Sequence, residues 1–180
     1  ITGIPADWQP ETHRRRIDAN ISEIIYAAID GKTGLSMRVE CTQYDDYPVM
    51  EWVAWFSNKG LEPTPILRDI RVMDGTIQGL SPALYHCNGD FYSADGYKGI
   101  ETSIKPGETL GFTPTGGRPC DGAFPYFRIL FDGWGLSIAI GWPAQWSARF
   151  EGRKDSVYIQ AGQEITNLRL FPGETVRTPR

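Results

Sequence analysis

Apolar and polar residues alternate along much of this chain with a period of two, the pattern of strands that turn one face to a core and the other to water. In "GLSMRVECT", Leu35, Met37, Val39 and Cys41 share one face while Ser36, Arg38, Glu40 and Thr42 share the other. The preceding "SEIIYAAI" reaches it through "DGKTG", and Asp30-Gly31 is a hairpin signal because both residues tolerate positive φ. "VMEWVAWFSN" is apolar on nearly both faces, interrupted mainly by Glu51, which predicts a central strand covered on each side. "ILRDIRVMDG" places Ile66, Ile70 and Val72 on one side and is expected to complete a four-strand meander. Residues 21–74 are therefore predicted to be antiparallel strands with Leu35, Met37, Val39, Trp52 and Phe56 largely buried.

Residues 87–124 are dense in Gly, Pro, Asp and Ser and predict an ordered loop with one short strand near "ETLGF". Loops of this length inside a compact domain are usually functional or cover an interface. From Phe124 the alternation returns in "FPYFRILF", "GLSIAIG", "QWSARFE", "DSVYIQA" and "EITNLRLF". A helical period is not sustained anywhere over three turns, although "THRRRIDANISEII" has room for one helical turn. The expected fold class is all-β, with about ten strands in two packed antiparallel sheets and little helix. One domain over residues 1–180 is expected, with residues 1–20 as an extended lead-in.

Composition narrows the partners. The net charge of -4 leaves no basic face for phosphates, the one cationic cluster being Arg14, Arg15 and Arg16 beside His13, so nucleic acid is not an expected partner. No apolar run approaches the roughly 20 residues that cross a bilayer, so no membrane partner is expected either. "ITGIPADWQP" lacks a signal pattern, and the sequence begins at Ile1, so a cytoplasmic location and export after leader removal both stay open. Cys41, Cys87 and Cys120 have no metal-ligand spacing and are read as small core or loop residues. Nothing in the sequence calls for a metal or a cofactor.

The blocks "YDDYPVMEWVAWFSNKG", "TPILRDIRVMDG", "GGRPCDGAFPYFRI", "AIGWPAQWSARF" and "AGQEITNLRLFPGETVRTPR" resemble, in that order, the N-terminal β-supersandwich domain of α-galactosidase-like enzymes of glycoside hydrolase family 36. The resemblance covers about Ile21 to Arg180. It implies a galactose mutarotase-like fold, a catalytic (β/α)8 barrel of the same parent chain as partner, and residues 171–180 as a linker toward that barrel. It also implies that the catalytic aspartates are carried by barrel strands, for which this chain has neither the length nor the pattern. Trp134 in "DGWG" and Cys120 in "GGRPC", where a serine is more usual, depart from the family pattern.

No catalytic residue is assigned within the chain. Asp45, Asp46, Asp90, Asp95, Asp121 and Asp132 lie mostly beside Gly or Pro and read as turn residues. There is no GxSxG elbow, and His86 reads as a packing or capping residue. Among the indoles, Trp52, Trp142 and Trp146 read as framework, whereas Trp55 lies on the opposite face of its strand from Trp52, and Trp134 sits in a turn. In "TPTGGRPCDGAFPYF", Gly116 and Gly117 permit unusual backbone shapes, and Arg118 offers a planar donor fork, either for a sugar or for a salt bridge. The substrate-binding candidates, at an interdomain rim, are thus Gly117, Arg118, Trp134 and Trp55. Three functions remain open: a non-catalytic domain docked on the barrel, a carbohydrate-binding module, and a structural or oligomerisation domain. The corresponding partners are the barrel, a carbohydrate and a second copy of the chain.

Overall fold

The computed structural model describes residues 5–8, 10–90 and 92–180. The chain divides into two compact units, Ile1–Asp69 with Thr166–Arg180, and Ile70–Ile165. After a 3-10 turn at Ala6–Trp8, the first unit runs through β1 (Glu11–Arg16), β2 (Ile21–Ile29), β3 (Leu35–Tyr44), β4 (Val49–Asn58) and β5 (Leu67–Arg68). The second unit holds β6 (Arg71–Gln78), β7 (Ala83–His86), β8 (Ile100–Ser103) and β9 (Thr109–Phe112), followed by β10 (Tyr126–Phe131), β11 (Trp134–Ala139), β12 (Trp146–Gly152) and β13 (Ser156–Gln163). The chain returns to the first unit with β14 (Asn167–Leu168) and β15 (Thr175–Arg177). Every strand pairing described is antiparallel, and the fold is all-β.

In the first unit a five-stranded sheet has the order β1-β2-β3-β4-β15, and β5 pairs with β14 beside it. The β2–β3 hairpin closes where Asp30 was expected to turn the chain. Its amide donates to the Leu35 carbonyl at 2.8 Å, and its carboxylate accepts from the Lys32 amide and the Thr33 hydroxyl. The residue held at positive φ is Gly34 rather than Gly31. Three expectations are corrected here. The fourth neighbour of the β2–β3–β4 meander is not Arg71–Gln78, which pairs with β13, but β15, whose Val176 lies opposite Phe56. "ETHRRR" is not helical: it is β1, a fully exposed edge strand, and its charges suit an edge that must not recruit another chain. Finally, β4 is not covered on both faces along its length. Val53 and Ala54 are buried at its centre, where Thr178, just past β15, exchanges hydrogen bonds with the Ala54 amide and carbonyl, whereas Val49 and Met50 at its start, paired with β3 only, are exposed. Leu35 and Val39 are buried as expected, while Met37, Trp52 and Phe56 are half-buried.

The second unit is a sandwich of two four-stranded sheets, β11-β10-β7-β8 and β6-β13-β12-β9. Period-two alternation explains it: Phe127, Ile129 and Phe131 of β10 point inward while Tyr126 and Arg128 point out. Those three, with Leu84, share one apolar cluster with Trp146, Ala148 and Phe150 of β12 and Val157, Ile159 and Ala161 of β13. Trp146, Phe150 and Ile159 are completely buried, and each such side chain contributes about 1.5–3 kcal/mol by leaving water. The strand expected at "ETLGF" is β9; the sequence reading missed β8, which lies in the same loop-like stretch and pairs with β7.

Candidate functional site

The long Gly/Pro segment of the second unit folds back on itself through backbone bonds. Gly89 and Asp121 form a β-bridge, the Asp90 amide donates to the Cys120 carbonyl at 2.9 Å, and the Phe124 amide donates to the Cys87 carbonyl at 3.1 Å. Buried Trp146 anchors this arrangement from the core, donating its indole N–H to the Pro119 carbonyl at 2.7 Å. The indole read as framework therefore also positions the residue after Arg118.

Arg118 sits at the centre of what the fold assembles. Its Nη1 donates to Asp90 Oδ2 at 2.7 Å, its Nη2 lies 3.5 Å from Asp121 Oδ2, and its guanidinium stands over the Tyr92 ring at 4.8 Å. Partial desolvation works against the charged guanidinium, but Asp90, Tyr92 and Asp121 outweigh it and hold its pKa above the usual value. Asp121 is itself buried, and its carboxylate packs against the Cα of Gly116, where any β-carbon would overlap it. Gly117 follows with φ +75° and open space beside it. Gly116 thus makes room for the acid that holds Arg118, and Gly117 turns the backbone. Beside this cluster Tyr97 meets Phe124 edge-on at 5.6 Å, and Phe124 stacks on Tyr126 at 5.0 Å. Partial burial, together with Cys120, Asp90 and Cys87 nearby, pushes the Tyr97 hydroxyl pKa up.

The other sequence candidates lie elsewhere. Trp134 opens β11 after an Asp132-Gly133 turn, with Gly133 at positive φ, and stacks on buried Phe131 with ring centroids 4.5 Å apart; 47% of it stays exposed. Its parity along β11 matches that of Leu136 and Ile138, so it starts the same row of the strand and covers Phe131 there. Trp55 is in the first unit, where its indole N–H donates to Glu40 Oε2 at 2.8 Å and Arg38 stands 5.8 Å from its ring. Both indoles are thus engaged by their own sheets. His86 packs on Phe112 at 4.7 Å; burial pushes its pKa down, and its Nδ1 has no hydrogen-bond partner among the described residues. The three cysteines are free thiols. Sequence reasoning gave Asp90 and Asp121 only turn roles and did not single out Tyr92, Tyr97 or Tyr126. The tyrosine-rich "FYSADGY" close to Asp90 was the available signal, but nothing in the sequence ties it to a loop nearly thirty residues away.

These features define an antiparallel β-sandwich whose elaborated loop gathers a guanidinium, two carboxylates and several tyrosines. Neither a family model nor a curated protein matches the sequence. Among solved structures, the chain is similar to a double variant of GH36 α-galactosidase AgaA from Geobacillus stearothermophilus, crystallised in complex with raffinose, with a TM-score of 0.73 at 15% identity. The likeness covers 96% of this chain but 27% of that one, so the chain spans about a quarter of the enzyme it matches. The fold is thereby shown to be that of a domain of a GH36 enzyme, in agreement with the β-supersandwich resemblance. No helix among the described residues is long and apolar enough to cross a membrane.

Proposed function

We propose that this chain is the non-catalytic N-terminal domain of an α-galactosidase-like glycoside hydrolase, docked on the catalytic barrel of the same parent chain, with Gly117 and Arg118 toward the sugar entrance. The observation that carries the reading is the likeness across nearly the whole chain to about a quarter of a GH36 α-galactosidase. The chemistry of the loop agrees with it. A retaining glycosidase needs two carboxyl groups roughly 5 Å apart with the glycosidic bond between them. Asp90 and Asp121 flank one point, but the Arg118 guanidinium already occupies it. The cluster is built to hold a loop in shape rather than to protonate a leaving group.

The test is an aryl α-galactoside assay on this chain and on the product of its complete gene. The isolated chain should give no turnover, the complete product should hydrolyse the substrate, and Arg118→Ala in the complete product should raise KM. Turnover by the purified chain that a substitution within it abolishes would refute the proposal, as would a complete gene without a barrel.

A further inference from the structure

We propose that Asn88-Gly89 is a latent deamidation site, held closed by the Gly96 carbonyl, and that its reaction dismantles the Arg118 cluster. Asn20, Asn58 and Asn167 are followed by Ile, Lys and Leu; only Asn88 precedes a glycine. That neighbour matters because glycine has no side chain to keep its amide nitrogen away from the carboxamide one residue back. In the reaction the Gly89 nitrogen gives up its proton to hydroxide and bonds to the side-chain carbonyl carbon of Asn88. The bond from that carbon to the carboxamide nitrogen breaks, and ammonia leaves with a proton from water. Water then opens the resulting succinimide to aspartate or isoaspartate. Water is consumed and ammonia released in equal amounts, and no other reactant is required.

The fold presents one partner of this reaction and withholds the other. Asn88 is exposed, whereas Gly89 is buried. The Gly89 N–H donates to the Gly96 carbonyl at 2.7 Å, so deprotonating that nitrogen means first giving up this bond. Gly89 is also fixed at φ +74° within its bridge to Asp121, where a β-carbon would overlap the Cys120 carbonyl. Gly96 serves the same contact: a β-carbon there would overlap the Gly89 carbonyl oxygen. The Gly89 nitrogen therefore becomes a nucleophile only when this stretch opens locally. The consequence follows from position. Isoaspartate routes the main chain through the former side chain and inserts an extra backbone carbon between Cys87 and Asp90. The Cys87 carbonyl accepts from the Phe124 amide at 3.1 Å, while Asp90 donates its amide to Cys120 at 2.9 Å and holds Arg118 through its carboxylate at 2.7 Å. A longer backbone over so short a span breaks the register of one end or the other. All of these restraints lie within the loop itself and owe nothing to sugar contact or to barrel docking.

The experiment is incubation of the chain at mildly alkaline pH, folded and in urea, with aspartate and isoaspartate at residue 88 followed over time by peptide mapping and mass spectrometry. Residue 88 should convert at least about tenfold more slowly in the folded chain than in urea. Gly96→Ala leaves the Asn-Gly pair intact and should speed conversion in the folded chain about three- to tenfold, the worth of the lost hydrogen bond. Should that variant melt early, Arg118→Ala, which frees the Asp90 carboxylate, is the second probe, and its folded rate should rise as well. The converted chain, separated by ion exchange, should have lost amide-exchange protection at Asp90. Equal rates in the folded and unfolded chain overturn the proposal. So does a folded rate that neither substitution changes, conversion of another asparagine ahead of Asn88 in urea, or native protection at Asp90 after conversion.

Discussion

Replacing Gly116 by alanine tests the architecture of the Arg118 cluster with one methyl group. Gly116 lies outside the left-handed region, so alanine introduces no backbone strain; the whole effect comes from its β-carbon, which would overlap the carboxylate of Asp121. That carboxylate is buried, so it can make way only by shifting the loop or by leaving its place 3.5 Å from Arg118 Nη2. Overpacking of this kind costs about 1–3 kcal/mol. At about 2 kcal/mol, a chain of this length should melt about 4–8 °C lower. Gly117→Ala is the control: its neighbourhood is open but its φ is +75°, so it should cost about 1 kcal/mol through backbone strain alone. The decisive measurement is a double-mutant cycle by denaturant unfolding. With Asp121→Ala in place the obstruction is gone, and the added cost of Gly116→Ala should fall by about 1 kcal/mol or more. If the two changes add within about 0.5 kcal/mol, the methyl and the carboxylate do not compete for the same space, and the account of the cluster is wrong.

Other outcomes follow from the same contacts. Phe150→Ala should destabilise the sandwich by about 3–5 kcal/mol in chemical denaturation, since the ring is wholly buried in the cluster shared by the two sheets. Trp146→Phe keeps most of the packing but orphans the Pro119 carbonyl, and should cost about 1–3 kcal/mol and loosen amide-exchange protection around Arg118. The lowered pKa of His86 means that the unfolded chain takes up that proton first, near pH 6.5, and the native state only at lower pH; stability should fall as pH drops below about 6.5, and His86→Gln should flatten that part of the melting profile. Trp134→Ala should lower stability by uncovering Phe131, read as a lower melting temperature.

Local physics made much of the fold legible. The two-residue period of "GLSMRVECT" and "YFRILF" specifies which side chains face inward, because successive residues of a strand must point to opposite sides. The turn chemistry of Asp30 and of Asp132-Gly133 was readable for the same reason, being decided within a few residues. Strand partnership was not, since alternation says which face a residue takes and nothing about which edge finds which. Arg71–Gln78 continues the preceding pattern yet pairs with β13, some eighty residues on, and the charged run "ETHRRR" becomes a strand because β2 offers it an edge. At the site, the sequence drew attention to Arg118 through its glycines and its place in a long loop. Only the tertiary fold put Asp90, Tyr92 and Tyr97 beside it, because the Gly89–Asp121 bridge closes two segments that are distant in the chain. The exposure that made Trp134 a candidate and its engagement by the sheet are likewise told apart by one ring stacked on Phe131, a contact set by strand register.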